Sequence, residues 1–297
     1  GLYATRGGLK NVALFEMGVP GGQITKSSEI ENYPGYFDSS KTGLDFMDTW
    51  QKQCFNFGLK HEMKKVESIQ KIEGHFTITV EGGETVEAMT VIVCTGAVPR
   101  RAGFKGEDEF YGRGVSTCAT CDGFFYKDKP VTVLGGGDTA LEEAFFLSNI
   151  CSDVYVVHRR DEFRAAPPTL DRAMRKENIH LITDSVIEEA VGGAMGLSGV
   201  DIKNIKTDEI THMDNTGLFV FVGQDVKNDV LKDDNGEFIC KMSDLGQVVV
   251  DLNMNTSVPG LFVAGDLRIN APKQVVSAAG DGSIAALQVI SYIQEQQ

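Results

Sequence analysis

A chain of 297 residues, 42% hydrophobic and 24% charged, has room for two domains of ordinary size, each with its own core. A formal net charge of −14, with the acids scattered rather than gathered into a tail, argues against nucleic acid as a partner and makes any local group of arginines conspicuous. No apolar run approaches the roughly 18 residues of a membrane span, no charged-then-apolar leader opens the sequence, and six cysteines are too sparse for a secreted disulfide framework. A cytoplasmic protein is the expectation.

Residues 1–8 read as the end of a helix, favoured by Leu2, Tyr3 and Ala4 and stopped by Gly7-Gly8. An apolar strand at 12–15 then runs into Glu16. Helix, tight stop and strand ending in an acid make the second half of a dinucleotide-binding βαβ unit, in which the acid holds a ribose hydroxyl. The alternative is an exposed acid at a strand end. No strand and no G-x-G-x-x-G precede Gly1, so the sequence is expected to begin inside the first crossover helix. The irregular stretch 18–43, with Gly21-Gly22-Gln23 and Asn32-Tyr33-Pro34-Gly35, is too long for a simple connection. It is expected to be a binding loop whose amides, Gln23 and Asn32, serve a polar ring; a plain surface loop is the alternative.

Residues 44–57 are amphipathic at helical spacing, with the sole tryptophan, Trp50, as a packing residue. Stretches 64–72, 75–80 and 85–90 alternate like antiparallel strands, with Gly82-Gly83 as a hairpin turn. The apolar run 91–93 leads to Thr95-Gly96-Ala97, a small-residue turn where a ligand can approach backbone.

A new unit begins after Arg100-Arg101. Its segment Cys118-Ala119-Thr120-Cys121-Asp122-Gly123 puts two thiols and a carboxylate within five residues. Such spacing lets the sulfurs close a disulfide in one tight turn and depresses a thiol pKa into the working range. Asp122 could carry a proton to or from a leaving thiolate. The alternatives are half of a zinc site or two incidental buried cysteines. Zinc wants four ligands, and the sequence offers no second Cys pair or paired His, so a redox role leads and no metal is expected.

Strand 131–134 leads into Gly135-Gly136-Gly137-Asp138-Thr139-Ala140, which fits G-x-G-x-x-A, followed by a helical run at 141–147 and a strand at 154–157. The glycines let backbone approach a pyrophosphate at a helix N-terminus, where unpaired N–H groups favour negative charge. Where an NAD site offers an acid to the ribose, this chain has His158, Arg159 and Arg160, with Arg164 one helical turn on. That choice favours a 2′-phosphate, hence NADPH; a solvated basic face is the alternative. His180 and His212, without evident partners, read as surface or packing residues.

Short strands and turns over 179–222 close that unit, 223–228 reads as a crossing back, and 248–251 reads as a strand. A buried strand at 261–264 ends in Gly265-Asp266, an acid placed to hold a polyol hydroxyl or to cap a helix. The closing stretch 275–293 is helical in composition, and Gly280 and Gly282 suggest close packing against its backbone. The fold class is therefore α/β, with two Rossmann-like dinucleotide-binding domains, the second inserted into the first.

Taken in order, C-A-T-C-D-G at 118–123, G-G-G-D-T-A, H-R-R-D-E-F-R-A, and the flanking G-G-Q and G-D-(x7)-Q-V resemble the low-molecular-weight thioredoxin reductases over nearly the whole chain. The resemblance implies a homodimeric flavoprotein with an FAD-binding domain at 1–101 and 228–297 and an NADPH-binding domain at 102–227. In that family NADPH reduces FAD, FAD reduces the disulfide, and the dithiol reduces thioredoxin. By position, Cys121 is the sulfur facing the flavin, Cys118 exchanges with thioredoxin, and Asp122 gives protons to the thiolates. Gly135, Gly137, Asp138, Thr139, His158, Arg159, Arg160 and Arg164 fall on the NADPH motif. Glu16, Gly21, Gly22, Gln23, Asn32, Thr95, Gly96, Gly265, Asp266, Gln274 and Val275 fall around the flavin. Two features depart from the pattern: the family's first strand and G-x-G-x-x-G are not in this sequence, and the second crossing reads Lys227-Asn228 where the family usually has Pro before Asn. The other functions open to the same motifs are the reductase partner of a peroxidase, a ferredoxin-driven reductase, which has no use for the arginines, and an NADPH or redox sensor that never holds FAD.

Overall fold

The structure, a computed structural model, describes residues 1–296 apart from 19, 28, 29, 31 and 37–40, so parts of the expected binding loop at 18–43 lie outside the described residues. The chain divides into two compact units, Gly1–Val98 with Val226–Gln297, and Pro99–Asp225.

The inserted unit is built on a five-stranded parallel sheet. Strand Val131–Leu134 lies at its centre, with Val154–Val157 and then Ile179–Ile182 on one side, and Leu218–Val220 and then Val115–Ser116 on the other. Such strands are apolar throughout because both faces are covered; Val131, Val133, Val154, Val156 and Phe219 are each fully buried. One cover is the helix Asp138–Leu147, whose Ala140, Leu141, Ala144 and Leu147 are buried in the same core. Strand order reverses at the Val131–Leu134 strand, and a ligand crevice opens at the carboxyl ends of strands at such a reversal. An antiparallel ribbon, Ser185–Gly193, Gly196–Asn204 and Ile210–Asp214, packs a second core.

The discontinuous unit carries the expected meander of Val66–Ile72, His75–Val80 and Thr85–Ala88, with turns at Glu73-Gly74 and Gly82-Gly83. Two parallel pairs accompany it: Ala13–Phe15 with Lys60–Glu62, and Leu261–Val263 with Val91–Val93. Helix Gly43–Asn56 starts in a capping box, in which the Thr42 hydroxyl accepts from the Asp45 N–H and the Asp45 carboxylate accepts from the Thr42 N–H. Its Phe46 and Trp50 rings pack on each other and on Tyr33, centroids 5.0 to 5.6 Å apart, which is the packing role expected of Trp50. The helix Val275–Glu295 closes the unit.

Two expectations from sequence are corrected here. Residues 248–251 form no strand: Val248 makes only isolated bridges, to Met242 and Arg268, because Gly246 and the turn at 251–254 leave no run long enough to ladder. Nothing within the described residues lies within 4 Å of a Cβ placed on Gly280 or Gly282, so no crowding there accounts for glycine.

Each crossing is tied inside its own unit. Arg100 donates its N–H to the Gly223 carbonyl (3.0 Å) and its guanidinium to Asp225 (2.6 Å). Lys227 donates its N–H to the Gly96 carbonyl (2.9 Å), a bond that a proline at this position could not make. Its own carbonyl accepts from the Thr95 hydroxyl.

Candidate active site

In the inserted unit, register decides what meets. Val157 pairs with Leu134, so Gly135–Gly137 and His158–Arg160 emerge from neighbouring strand ends. Gly136 lies flat against the His158 ring: a Cβ there would stand 2.2 Å from His158 Nδ1. The Gly136 carbonyl accepts from the Arg164 N–H (2.7 Å), and Asp138 Oδ1 accepts from the Ala166 N–H (2.8 Å), which fastens the segment after His158 over the glycine turn. Gly137 is the N-cap of the helix Asp138–Leu147 and supplies no side-chain cap, so its first-turn N–H groups stay available to an anion, with Thr139 exposed beside them. Arg159, Arg160 and Arg164 are exposed, and none of these side chains has a hydrogen bond or ion pair among the described residues. His158 behaves otherwise. It is 5% exposed, its Nε2 lies 3.2 Å from the Glu162 carbonyl, and its ring packs on Phe163. Burial, and then the three arginines, push its pKa down, so the ring is neutral at pH 7.

The same unit holds the sulfur chemistry. Cys118 and Cys121 are disulfide-bonded around the short helix Ala119–Asp122. Cys118 is half-buried and Cys121 exposed, and the Cys121 N–H donates to Cys118 Sγ (3.2 Å). Behind them, Ser116 Oγ donates to Asp122 Oδ2 (2.6 Å) and accepts from the Cys118 N–H (3.1 Å). Burial raises the Asp122 pKa, opposed by the Ser116 hydrogen bond. A carboxyl whose pKa burial raises, next in sequence to Cys121, can give a proton to a thiolate and take it back.

In the discontinuous unit, Val263 pairs with Val93, and the Ala264 N–H donates to the Val93 carbonyl (3.1 Å), which delivers Thr95-Gly96 and Gly265-Asp266 to one end of the same pair. Gly96 (φ 72°) and Gly265 (φ 74°) both turn in the left-handed region that glycine tolerates. Gln23, which follows Gly21 and Gly22 in a short 3-10 turn, donates its amide to the Ala97 carbonyl and so joins this group. The Asn32 amide donates to Gln274 Oε1 (3.0 Å), linking the loop to the residue before Val275. Glu16 stands apart from these, accepting from the Gly18 N–H (3.1 Å). Asp266 has no hydrogen bond among the described residues, and burial pushes its pKa up. A partly buried acceptor beside two open glycine turns fits a polyol hydroxyl, as the unpaired arginines and bare helix start fit phosphates.

Sequence reasoning missed two residues that hold these sites together. Ser116 is one. The other is Asp281, 6% exposed in the last helix, which accepts from Arg268 Nε (2.6 Å), from a second guanidinium nitrogen (3.0 Å) and from the Gly265 N–H (3.1 Å). Its placement between two glycines was the available signal. The histidines also need correction: His180 meets Asp153 (2.9 Å), which lies just before the neighbouring strand, and His212 meets its cross-strand partner Asp201 (2.6 Å), contacts that only the fold reveals. Of the other cysteines, Cys151 and Cys240 are buried, and burial pushes both thiols up to about 11.

A glycine turn beside unpaired arginines and a disulfide turn, both on one doubly wound unit and joined in one chain to a second α/β unit, are the features of a nucleotide-dependent disulfide oxidoreductase. Residues 1–282 match the family described as pyridine nucleotide-disulphide oxidoreductase. A thioredoxin reductase of Helicobacter pylori is 58% identical over 294 residues, 99% of this chain and 94% of that protein, and one of Mycolicibacterium smegmatis is 38% identical over 99% and 92%. The crystal structure of thioredoxin reductase from Streptococcus pyogenes, 37% identical, superposes with a TM-score of 0.91 over 99% of this chain and 93% of that one. The chain belongs to the pyridine nucleotide-disulphide oxidoreductases, and within them to the low-molecular-weight thioredoxin reductases. Members of this family use FAD and NADPH.

Proposed function

We propose that this chain is a thioredoxin-disulfide reductase driven by NADPH, with Cys118 and Cys121 as the pair that exchanges with the protein substrate. The observation that carries the reading is the bonded pair itself, set in a partly exposed turn with an N–H on one sulfur and a half-buried acid beside it. Arg159, Arg160 and Arg164 would hold the 2′-phosphate of NADPH. Gly135, Gly137, Asp138 and Thr139 would hold its pyrophosphate, with His158 beneath the glycine turn. Gly21, Gly22, Gln23, Asn32, Thr95, Gly96, Gly265, Asp266, Gln274 and Val275 would line the flavin, and Glu16 its ribose. When bound, the cofactors supply a hydride from the nicotinamide and a flavin ring that passes the electron pair on.

The chain's own part is thiol exchange. In the reduced pair, the Cys121 N–H favours the thiolate on Cys118 and leaves the proton on Cys121. The Cys118 thiolate attacks one sulfur of the substrate disulfide, a mixed disulfide forms, and the other substrate sulfur leaves as a thiolate that takes a proton from Asp122. The Asp122 carboxylate then accepts the Cys121 proton. The Cys121 thiolate attacks Cys118, the mixed disulfide breaks, and the second substrate sulfur leaves and is protonated from solvent. One solvent proton is consumed, and the substrate departs as a dithiol. The family resemblance supports a homodimer. The sparse cysteines support a cytoplasmic site; among the described residues no helix is long and apolar enough to cross a membrane.

The test is NADPH oxidation coupled to thioredoxin. Cys118→Ser and Cys121→Ser should each abolish thioredoxin reduction while NADPH-driven ferricyanide reduction survives. Turnover of thioredoxin by either variant would refute the relay.

A further inference from the structure

We propose that Ser116 is a positioning residue of the exchange reaction, a buried hydroxyl that keeps Asp122 and the Cys118 backbone in one arrangement whether or not Asp122 carries its proton. The inference rests on the exchange reading above.

Ser116 is 6% exposed and ends the two-residue strand Val115–Ser116, where it pairs with Phe219 of the sheet. Its oxygen is therefore fixed by the sheet, not by the mobile geometry of a loop. Three polar atoms surround it: Asp122 Oδ2 at 2.6 Å, the Cys118 N–H at 3.1 Å and the Cys118 carbonyl at 3.3 Å. A hydroxyl has one proton to give and two lone pairs to fill. With Asp122 ionised, the hydroxyl donates to the carboxylate and accepts from the Cys118 N–H. With Asp122 protonated, the carboxyl O–H donates to Ser116 Oγ, and the hydroxyl turns its own proton to the Cys118 carbonyl, still accepting from the Cys118 N–H. Every group keeps a partner in both states, so the proton moves on and off Asp122 without displacing the turn that carries the sulfurs.

Among the described residues, Ser116 is the side-chain hydrogen-bond partner of Asp122. The titratable groups near Asp122 among the described residues are the two cysteines of its own turn and Tyr126 from the following 3-10 turn, whose phenol is pushed up to about 12, first by burial and then by the charges of Asp122 and Cys151. The helix behind the turn contributes Leu147 and Phe146 against Gly123, both apolar.

The experiment compares Ser116→Ala and Ser116→Thr, each alone and with Asp122→Asn, after circular dichroism has shown them folded. The pH profile of thioredoxin reduction is one readout. The other is the pH dependence of iodoacetamide alkylation at Cys118 in dithiothreitol-reduced protein, which needs no turnover. Losing the hydroxyl removes the donor that favours the Asp122 carboxylate, so its pKa rises. In Ser116→Ala the alkaline limb of the rate profile should move up by about one pH unit, and the alkylation profile should move with it. Ser116→Thr should restore the wild-type profile, and with Asp122→Asn the alanine change should move neither. The proposal is overturned if Ser116→Ala slows the reaction equally at every pH, if threonine shifts the profile as alanine does, or if the shift persists without the Asp122 carboxyl. Wild-type enzyme that failed to reduce thioredoxin would sink the exchange reading instead, and the alkylation profiles would still decide the role of Ser116.

Discussion

Asp281→Ala should destabilise the discontinuous unit strongly. The Arg268 and Asp281 side chains are only 14% and 8% exposed, and their two-point contact also takes in the Gly265 N–H. Removing one partner of such a pair leaves the other charge buried, at a cost of about 3–5 kcal/mol. The lower figure applies here, since Arg268 also donates to the Ile269 carbonyl (2.9 Å) and would keep that bond. With a urea dependence of about 2 kcal/mol per M, the unfolding midpoint should fall by roughly 1.5 M. Trp50, the sole tryptophan, lies in the same unit, so its fluorescence follows this transition directly. The double replacement Arg268→Met with Asp281→Leu should recover much of the loss, because no orphaned charge remains. Flavin content should fall in the single variant, since the turn carrying Asp266 is no longer held to the last helix. A midpoint within about 0.3 M of wild type would refute the claim that this pair fastens the turn.

Two further outcomes can be measured on purified protein. Arg159→Ala with Arg160→Ala removes two unpaired cations from the cradle; at about 1.5–3 kcal/mol for each charge-assisted bond, the NADPH KM should rise by roughly a hundredfold or more while NADH is changed little. Equal losses for both nucleotides would reject the 2′-phosphate assignment. Asp122 has a folded pKa raised by burial, so the native state binds that proton more tightly than the unfolded chain does. The resulting stability is present below the unfolded carboxyl value, about 3.9, and is lost as pH rises through the folded value. Asp122→Asn should therefore gain melting temperature over wild type at pH 8 relative to pH 4, and a gain that does not depend on pH would show that the carboxyl is not the source.

The motifs were legible in sequence where one local segment does the whole job. Glycine at 135 and 136, the strand before it and the arginines after the next strand are set by backbone sterics and charge, and the structure shows Gly136 against His158 as the reason a side chain is excluded. The Cys118 to Asp122 turn was legible for the same reason. Ser116 and Asp281 were not, because each acts through hydrogen bonds that only folding assembles, one from a sheet edge and one from a helix far along the chain. His158 was read as part of the nucleotide motif; that it is buried with its ring against Gly136 was not legible in the sequence. The strand read at 248–251 failed because a short apolar run says nothing about whether a partner strand is in reach.

Cys151 and Cys240, with thiols pushed up to about 11, carry a thiolate in only about one molecule in ten thousand at neutral pH. These two sulfurs are thereby kept out of exchange, whereas Cys54 is half-buried and Cys94 exposed. A protein that shuttles reducing equivalents for a living would otherwise risk cross-linking itself into wrong pairings, and burying Cys151 and Cys240 with their protons on guards those two positions against that misfire.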